Sequence, residues 1–295
     1  MDSPRERARE EGLLARTPSG ALVLGGIASV QFGAALATTL FDTAGPSGTA
    51  LLRLAFGSLV LLAVWRPRLT GRSRQELRLA ALFGLVLAAM NLCFYGAIDR
   101  IPLGIAVALE FVGPLTVALL GSRRRLDLLW VALAAIGILA LTRHGPGGLD
   151  ALGAALALVA GALWGTYILV NARLGRVFEG GTGLALAMCV GTVAAAPIGL
   201  VEGAGELLSG EVLLLGAAVG VLSSAIPYSF EVEALRRIRP AVFGVLMSLE
   251  PAVAALAGLV VLGQHLGGRV LLGIALVTVA SVGAARSGRE AAVTL

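Results

Sequence analysis

Three ionisable side chains lie deep inside long apolar stretches of the sequence: Glu110, Glu250 and Arg53. If these stretches cross a bilayer, each charge costs about 2.5–3.5 kcal/mol near the centre, so the side chain should face a cavity or a partner. A carboxyl group in such a place could take up and release protons or bind a ligand ammonium group, and an Arg could bind a carboxylate. These residue types therefore predict a transport pathway for small charged molecules.

Each of the three residues also has a purely structural interpretation. Glu110 could be hydrogen-bonded to a neighbouring helix, and Glu250 could tie two helices together at a kink caused by Pro251. Arg53 could neutralise a buried Glu or extend its guanidinium to the membrane interface. We predict Glu110 and Glu250 as candidates for proton coupling, and Glu110 and Arg53 as candidates for substrate binding.

Neutral polar and aromatic side chains inside other apolar stretches extend this set. The further substrate-binding candidates are Gln31, Asn91, Tyr95, Trp164, Tyr167, Ser223 and Tyr228. A zwitterionic ligand needs several hydrogen-bond partners, although helix packing is an alternative role for each of these residues. Trp164 and Tyr167 lie three positions apart on one helical face, with Tyr95 as the counterpart in span 3, and could form either an aromatic wall or an interface belt.

The elements that position these residues are membrane spans. The chain has 295 residues, of which 57% are hydrophobic and 14% are charged, and its mean hydropathy is +0.90. This composition indicates an all-α integral membrane protein, because a lipid-exposed segment must satisfy its own backbone hydrogen bonds. Runs of about 20 apolar residues predict ten transmembrane helices. They lie near 20–40, 47–65, 79–98, 103–121, 127–142, 151–170, 182–201, 212–230, 240–262 and 268–285.

The arginines give these spans a direction. All 23 basic residues are Arg, and 19 of them lie in the termini and in alternate loops, whereas the opposite loops hold only Arg100, Arg143 and Arg269. By the positive-inside rule, both termini of this multi-pass protein are predicted to be cytoplasmic. The N-terminal segment 1–19 and the C-terminal tail 286–295 are predicted to be cytoplasmic.

The two halves of the chain are similar to each other. An offset of 137 residues places Ala97, Arg100, Ile101 and Pro114 on identical residues, and it gives eight identities in 25 positions. Repeats of five spans must enter the membrane from opposite sides, so we predict two inverted five-helix repeats at 20–142 and 151–285. Whether spans 5 and 10 form a homodimer is left open.

Several other functions are disfavoured. The sequence contains no His-Glu-x-x-His, Gly-x-Ser-x-Gly or phosphate-binding Gly-x-x-x-x-Gly-Lys motif, and its two histidines lie in predicted outer loops. Cys93 and Cys189 lie in apolar segments. We therefore predict neither an enzyme nor a cofactor, metal or nucleic-acid site; the predicted partners are a small molecule, protons and the bilayer.

Two stretches carry a more specific signal. They are Leu109-Glu-Phe-Val-Gly-Pro114, and Pro227-Tyr-Ser229 with the following Met247-Ser-Leu-Glu-Pro251. In these motifs, and nearly throughout the chain, the sequence resembles the threonine/homoserine exporters of the drug/metabolite transporter superfamily. It departs from them at Gln264, where many relatives carry Glu, and at Thr38 and Thr39, where a Lys is usual.

The resemblance implies two inverted EamA-type bundles, a location in the cell inner membrane and export of small hydrophilic amino acids. It also implies antiport against the proton gradient by alternating access. A drug, nucleoside or other metabolite exporter of the same superfamily is the alternative.

Overall fold

The computed structural model describes residues 17–67, 71–120, 126–142, 149–235, 237–238 and 240–293. Within these ranges the regular structure is entirely helical. We number the helices α1 to α13 in chain order. They are α1 Ser19–Thr38, α2 Phe41–Trp65, α3 Arg74–Ile98, α4 Leu103–Glu110, α5 Val112–Leu120, α6 Leu126–Thr142, α7 Ala151–Leu174, α8 Thr182–Glu202, α9 Gly210–Gly220, α10 Ile226–Leu235, α11 Pro240–Met247, α12 Glu250–Leu262 and α13 Gly268–Val293, with a π-helix at Val221–Ala225 between α9 and α10.

The outer surface of the bundle is suited to lipid. Seven helices have the length and composition to cross a membrane, and three shorter apolar helices lie at Leu103–Val117, Leu129–Leu141 and Gly268–Gly283. Large apolar side chains face outward, for example Val193 at 73% and Leu214 at 74% exposure. Because lipid tails are as apolar as these side chains, this exposure costs little in a bilayer. The prediction of a helical membrane protein is confirmed, whereas the count of ten spans stays a prediction.

Many helix ends lie within two residues of the predicted spans, but α2 begins at Phe41, six residues early, and α13 continues to Val293, eight residues beyond the predicted end. In α2, Gly45 has a non-helical backbone (φ +67°, ψ 162°), which separates the first turn from the part that begins at Pro46. The Ser47 amide after this kink donates a hydrogen bond of 2.9 Å to the Glu202 carboxylate of α8.

Segment 1–16, His144 and the loop 121–125 with its three arginines lie outside the described residues.

Two helices of the bundle are interrupted. Phe111 separates α4 from α5, and Ser248 with Leu249 separates α11 from α12. A proline follows each interruption within four residues, Pro114 in α5 and Pro251 in α12. Since proline has no N–H, it cannot pair with the carbonyl of the residue four positions earlier, and the helix stops there.

The helix bounds repeat along the chain. Leu103–Glu110 and Pro240–Met247 begin and end 137 residues apart, and so do the last residues of α3 and α10, Ile98 and Leu235. Contacts are reciprocal as well: α1 packs on α10 and α12, while α7 packs on α3, α4 and α5. In addition, α2 packs against α8, α4 against α12 and α6 against α13. The helix bounds and contacts thus correspond between the two halves, whereas the inverted repeats at 20–142 and 151–285 stay a prediction.

The interrupted helix α4–α5 touches α7 through glycines. A side chain on Gly161 would collide with the carbonyl oxygen of Glu110, and one on Gly113 would collide with the carbonyl oxygen of Gly161. Small residues of this kind let the backbones of membrane helices approach closely. The close approach fixes the end of α4, and with it the Glu110 side chain, against the opposite half of the chain.

Candidate functional site

A cavity of about 690 Å³ lies between the two halves. Its walls come from α1 to α5, α7 and α10 to α13, together with residues at the three places where helical geometry is interrupted. A volume in the range of 300–1,000 Å³ is typical of small-molecule sites. The interrupted helices and the π-helix therefore contribute directly to the wall of this cavity.

Most of the predicted site residues meet in this cavity. Those that line it are Gln31, Arg53, Asn91, Glu110, Trp164, Tyr167, Ser223, Tyr228 and Glu250. They are brought together from both halves of the sequence, which places the three ionisable residues predicted first in one polar site. Whether they bind a substrate is taken up below.

Arg53 lies in the middle of α2 and is directed inward, not towards the membrane interface. Its side chain is 8% exposed, and Nη2 donates a hydrogen bond of 3.1 Å to the carbonyl oxygen of Ser223. The π-helix exposes this carbonyl, because a π-turn disrupts the regular backbone pairing of a helix. Arg53 thereby joins α2 of the first half to the interruption between α9 and α10 of the second.

Tyr95 lies behind Arg53 and does not join Trp164 and Tyr167 in an aromatic wall. Its ring is fully buried beside Phe41 and Phe94, with centroid distances of 5.8 and 6.1 Å. The Arg53 guanidinium carbon lies 5.7 Å from the centroid of the Tyr95 ring. Trp164 instead packs edge-on against Phe111, with 5.2 Å between the ring centroids.

The three carboxylates of the cavity, Glu110, Glu231 and Glu250, are linked by electrostatic interactions. Glu110 interacts electrostatically with Arg53, and Glu250 interacts with both Glu110 and Glu231. Glu110 is 8% and Glu250 5% exposed, and no ion pair within 4 Å joins either to a base among the described residues. One cation and three carboxylates thus share a largely apolar cavity, an arrangement that complements a molecule with both an ammonium and a carboxylate group.

Sequence reasoning missed four polar residues of the cavity wall. They are Glu231, Asn171, Ser248 and Ser281. Glu231 was placed one residue beyond span 8, but α10 continues to Leu235, so this carboxylate remains inside the bundle. Its position three residues after Tyr228, on the same helical face, is the signal that could have identified it.

The cavity opens towards one end of the bundle. At that end Asn171 and Ala172, near the end of α7, are exposed, and the lining reaches Val23 near the start of α1. At the other end the helices close on an apolar core that includes Leu40, Ile98 and Leu103. We call this end, where Arg53 and Ser223 line the cavity and Tyr95 lies behind Arg53, the closed end of the cavity.

Gln264 takes part in this closure. Its Oε1 accepts a hydrogen bond of 3.1 Å from the Leu103 amide, the first N–H of α4. Helix N-termini have unpaired amides that a side-chain oxygen can satisfy. Thr38 and Thr39 instead bond back to carbonyl oxygens of their own helix, those of Ala35 and Leu36.

No group of three potential metal ligands occurs among the described residues. Both cysteines are free and partly buried.

Comparison with known proteins gives the family. Residues 151–286 match the model of the EamA-like transporter family. The threonine/homoserine exporter RhtA of Salmonella typhimurium (strain SL1344) is 46% identical over 261 residues, covering 87% of this chain and 88% of the relative. The exporter of the same name from Escherichia coli (strain K12) is 44% identical over 273 residues, covering 91% and 92%.

A solved crystal structure of a protein chain has the same fold. Its TM-score is 0.63 at 19% sequence identity, over 92% of this chain and 98% of that chain. The matched family and the named relatives are transporters and not enzymes, as predicted for this chain. The chain therefore belongs to the threonine/homoserine exporter family of the EamA-type drug/metabolite transporters.

Proposed function

We propose that this protein exports small hydrophilic amino acids of the threonine and homoserine type across the cell inner membrane. The observation that carries the proposal is the cavity between the halves in which one Arg and three carboxylates lie within a mainly apolar wall. A zwitterionic amino acid needs a cation for its carboxylate and an anion for its ammonium group. The names of the relatives point to the same class of substrate.

Transport is by alternating access. In this proposal ten membrane spans form two inverted repeats, 20–142 and 151–285, with both termini, including segments 1–19 and 286–295, in the cytoplasm. In this orientation the exposed end of the cavity faces the cytoplasm and the closed end faces outward, which corresponds to the state that loads substrate from the cell. Proteins with inverted repeats move by rocking one unit against the other around a site near the midplane.

Export is energised by protons that enter from outside. Protonation of Glu110 or Glu250 in the outward-open state favours release of the amino acid and return of the carrier. A proton and a substrate can drive this cycle only if each binds the two states with different affinity. The carboxylates of the cavity are the groups of the described residues that both ligands can share.

Counterflow in proteoliposomes tests the proposal. We expect labelled threonine and homoserine to exchange through the purified protein and an imposed pH gradient to accelerate their movement. Liposomes without protein, and a panel of nucleosides and cationic drugs, are the controls. Movement of panel compounds without movement of any amino acid would contradict the proposal and favour a wider metabolite exporter.

A further inference from the structure

The closed end of the cavity holds polar groups with incomplete hydrogen bonding. The Tyr95 and Ser223 hydroxyls lie beside each other and beside Arg53, but neither makes a hydrogen bond of normal geometry among the described residues, although the two residues are 0% and 1% exposed. Arg53 uses one of its five N–H donors on the Ser223 carbonyl. Buried polar groups are normally paired, since an unpaired one costs about 1–3 kcal/mol. These groups are therefore placed for a ligand.

The three side chains are held by different elements. Phe41 and Phe94 fix the Tyr95 ring below Arg53. The π-helix fixes Ser223, whose side chain lies so close to Gly33 of α1 that any larger residue at Gly33 would collide with it. Because the backbone and the ring are fixed in this way, the hydroxyls stay next to the guanidinium without a ligand.

The chemistry of this group selects a carboxylate. Arg53 is a permanent cation with a planar array of donors, and each hydroxyl can donate one more hydrogen bond to an acceptor. A ligand ammonium group would be repelled by Arg53, and it has the carboxylates of Glu110, Glu231 and Glu250 elsewhere in the cavity. A carboxylate only accepts hydrogen bonds, and its bonds to charged donors are about twice as strong as neutral ones.

We propose that Arg53, Tyr95 and Ser223 form the subsite for the α-carboxylate of the transported amino acid. The inference rests on the proposed function and adds an orientation: the carboxylate points to the closed end and the ammonium group to the cavity carboxylates. Amino acids whose carboxylate is converted to an amide or an alcohol are then rejected even when their side chain is unchanged. The protein is then specific for free amino acids, because such analogues leave the hydrogen-bond donors of the subsite unpaired.

The test varies the protein and the ligand together. Affinities of threonine and threonine amide are measured by competition with labelled homoserine on the purified protein, for the wild type and for Tyr95→Phe and Ser223→Ala. We expect each variant to bind threonine about ten- to a hundredfold more weakly, as for the loss of one hydrogen bond to a charged group, with the weak binding of the amide unchanged.

Ser229→Ala is the matched control, because Ser229 lies on the same helical stretch and donates to the Ala225 carbonyl while exposed at the surface. Its two affinities should equal those of the wild type. Equal weakening for threonine and the amide, or no change for either, would overturn the subsite and leave the proposed function intact. A wild type that moves no amino acid in counterflow would overturn the proposed function itself.

Discussion

At the scale of single residues, the cavity carboxylates differ in their surroundings. Glu110 interacts with Arg53 and ends α4, whereas Glu250 begins α12 and interacts with two other carboxylates. A charge near the bilayer centre is retained only where it is used or compensated. Because Glu110 interacts with Arg53 at the closed end of the cavity, we expect it, more than Glu250, to couple proton and substrate.

Glu110→Gln should separate substrate movement from the proton gradient. The amide keeps the shape and polarity of the side chain but cannot exchange a proton, so we expect threonine counterflow to continue while acceleration by an imposed pH gradient falls at least tenfold. The measurement is initial transport rate in proteoliposomes with and without the gradient. Glu179→Gln, in the exposed loop after α7, is the control and should behave as the wild type. Unchanged pH dependence in Glu110→Gln would contradict the role.

At the scale of helices, the closure of the cavity depends on contacts that cross between the halves. The Ser47 amide bonds to Glu202 and the Leu103 amide bonds to Gln264, and in both cases a side chain of the second half satisfies the start of a helix in the first. Under the proposed alternating access, both bonds break when the halves separate at this end. They therefore favour the state shown by the structure.

Removal of one of these bonds should shift the balance between states. Gln264→Leu leaves the Leu103 amide unpaired. We expect this change to destabilise the state with a closed end by about 1 kcal/mol relative to the opened state, and so to raise the population of the opened state roughly fivefold. The measurement is the rate at which a membrane-impermeant maleimide labels Leu40→Cys, a position 2% exposed in the apolar core of the closed end, in a background without Cys93 and Cys189.

Gln75→Leu provides the control for this change. Gln75 is exposed near the start of α3, at the other end of the bundle, and its replacement should leave the labelling rate unchanged. Equal rates for Gln264→Leu and the parent would show that the Leu103 bond does not stabilise the closed end.

The sequence predicted the helices well and their interruptions poorly. Apolar length placed nine of the cavity residues in the correct spans, because burial in lipid leaves little freedom in the local structure. The sites of interruption depend on tertiary contacts: Pro251 was expected to kink a continuous helix, but it lies at the start of α12 after a break at Ser248 and Leu249. The partners of Tyr95 and the inward position of Glu231 also depend on packing between distant segments, which periodicity in one segment does not contain.

At the scale of the whole molecule, orientation in the membrane decides the direction of transport. The proposed arrangement places the start of α3 in the cytoplasm and the α12–α13 loop outside. In right-side-out spheroplasts we expect an impermeant maleimide to label His265→Cys and to leave Gln75→Cys unlabelled until the membrane is permeabilised, since both native residues are exposed. The reverse labelling pattern would show that the protein has the opposite orientation in the membrane, with the exposed end of the cavity facing outward.

The edge-on pair of Trp164 and Phe111 has an optical consequence. Of the three tryptophans, only Trp164 lines the cavity; Trp65 covers Gly180 and Gly181, and Trp130 lies against Gly283. An indole at that place changes its surroundings whenever a solute displaces water from the cavity or the helices around Phe111 move. With Trp65 and Trp130 replaced by Phe, the fluorescence emission of Trp164 should change when the cavity is occupied. Substrate binding could then be followed without a label.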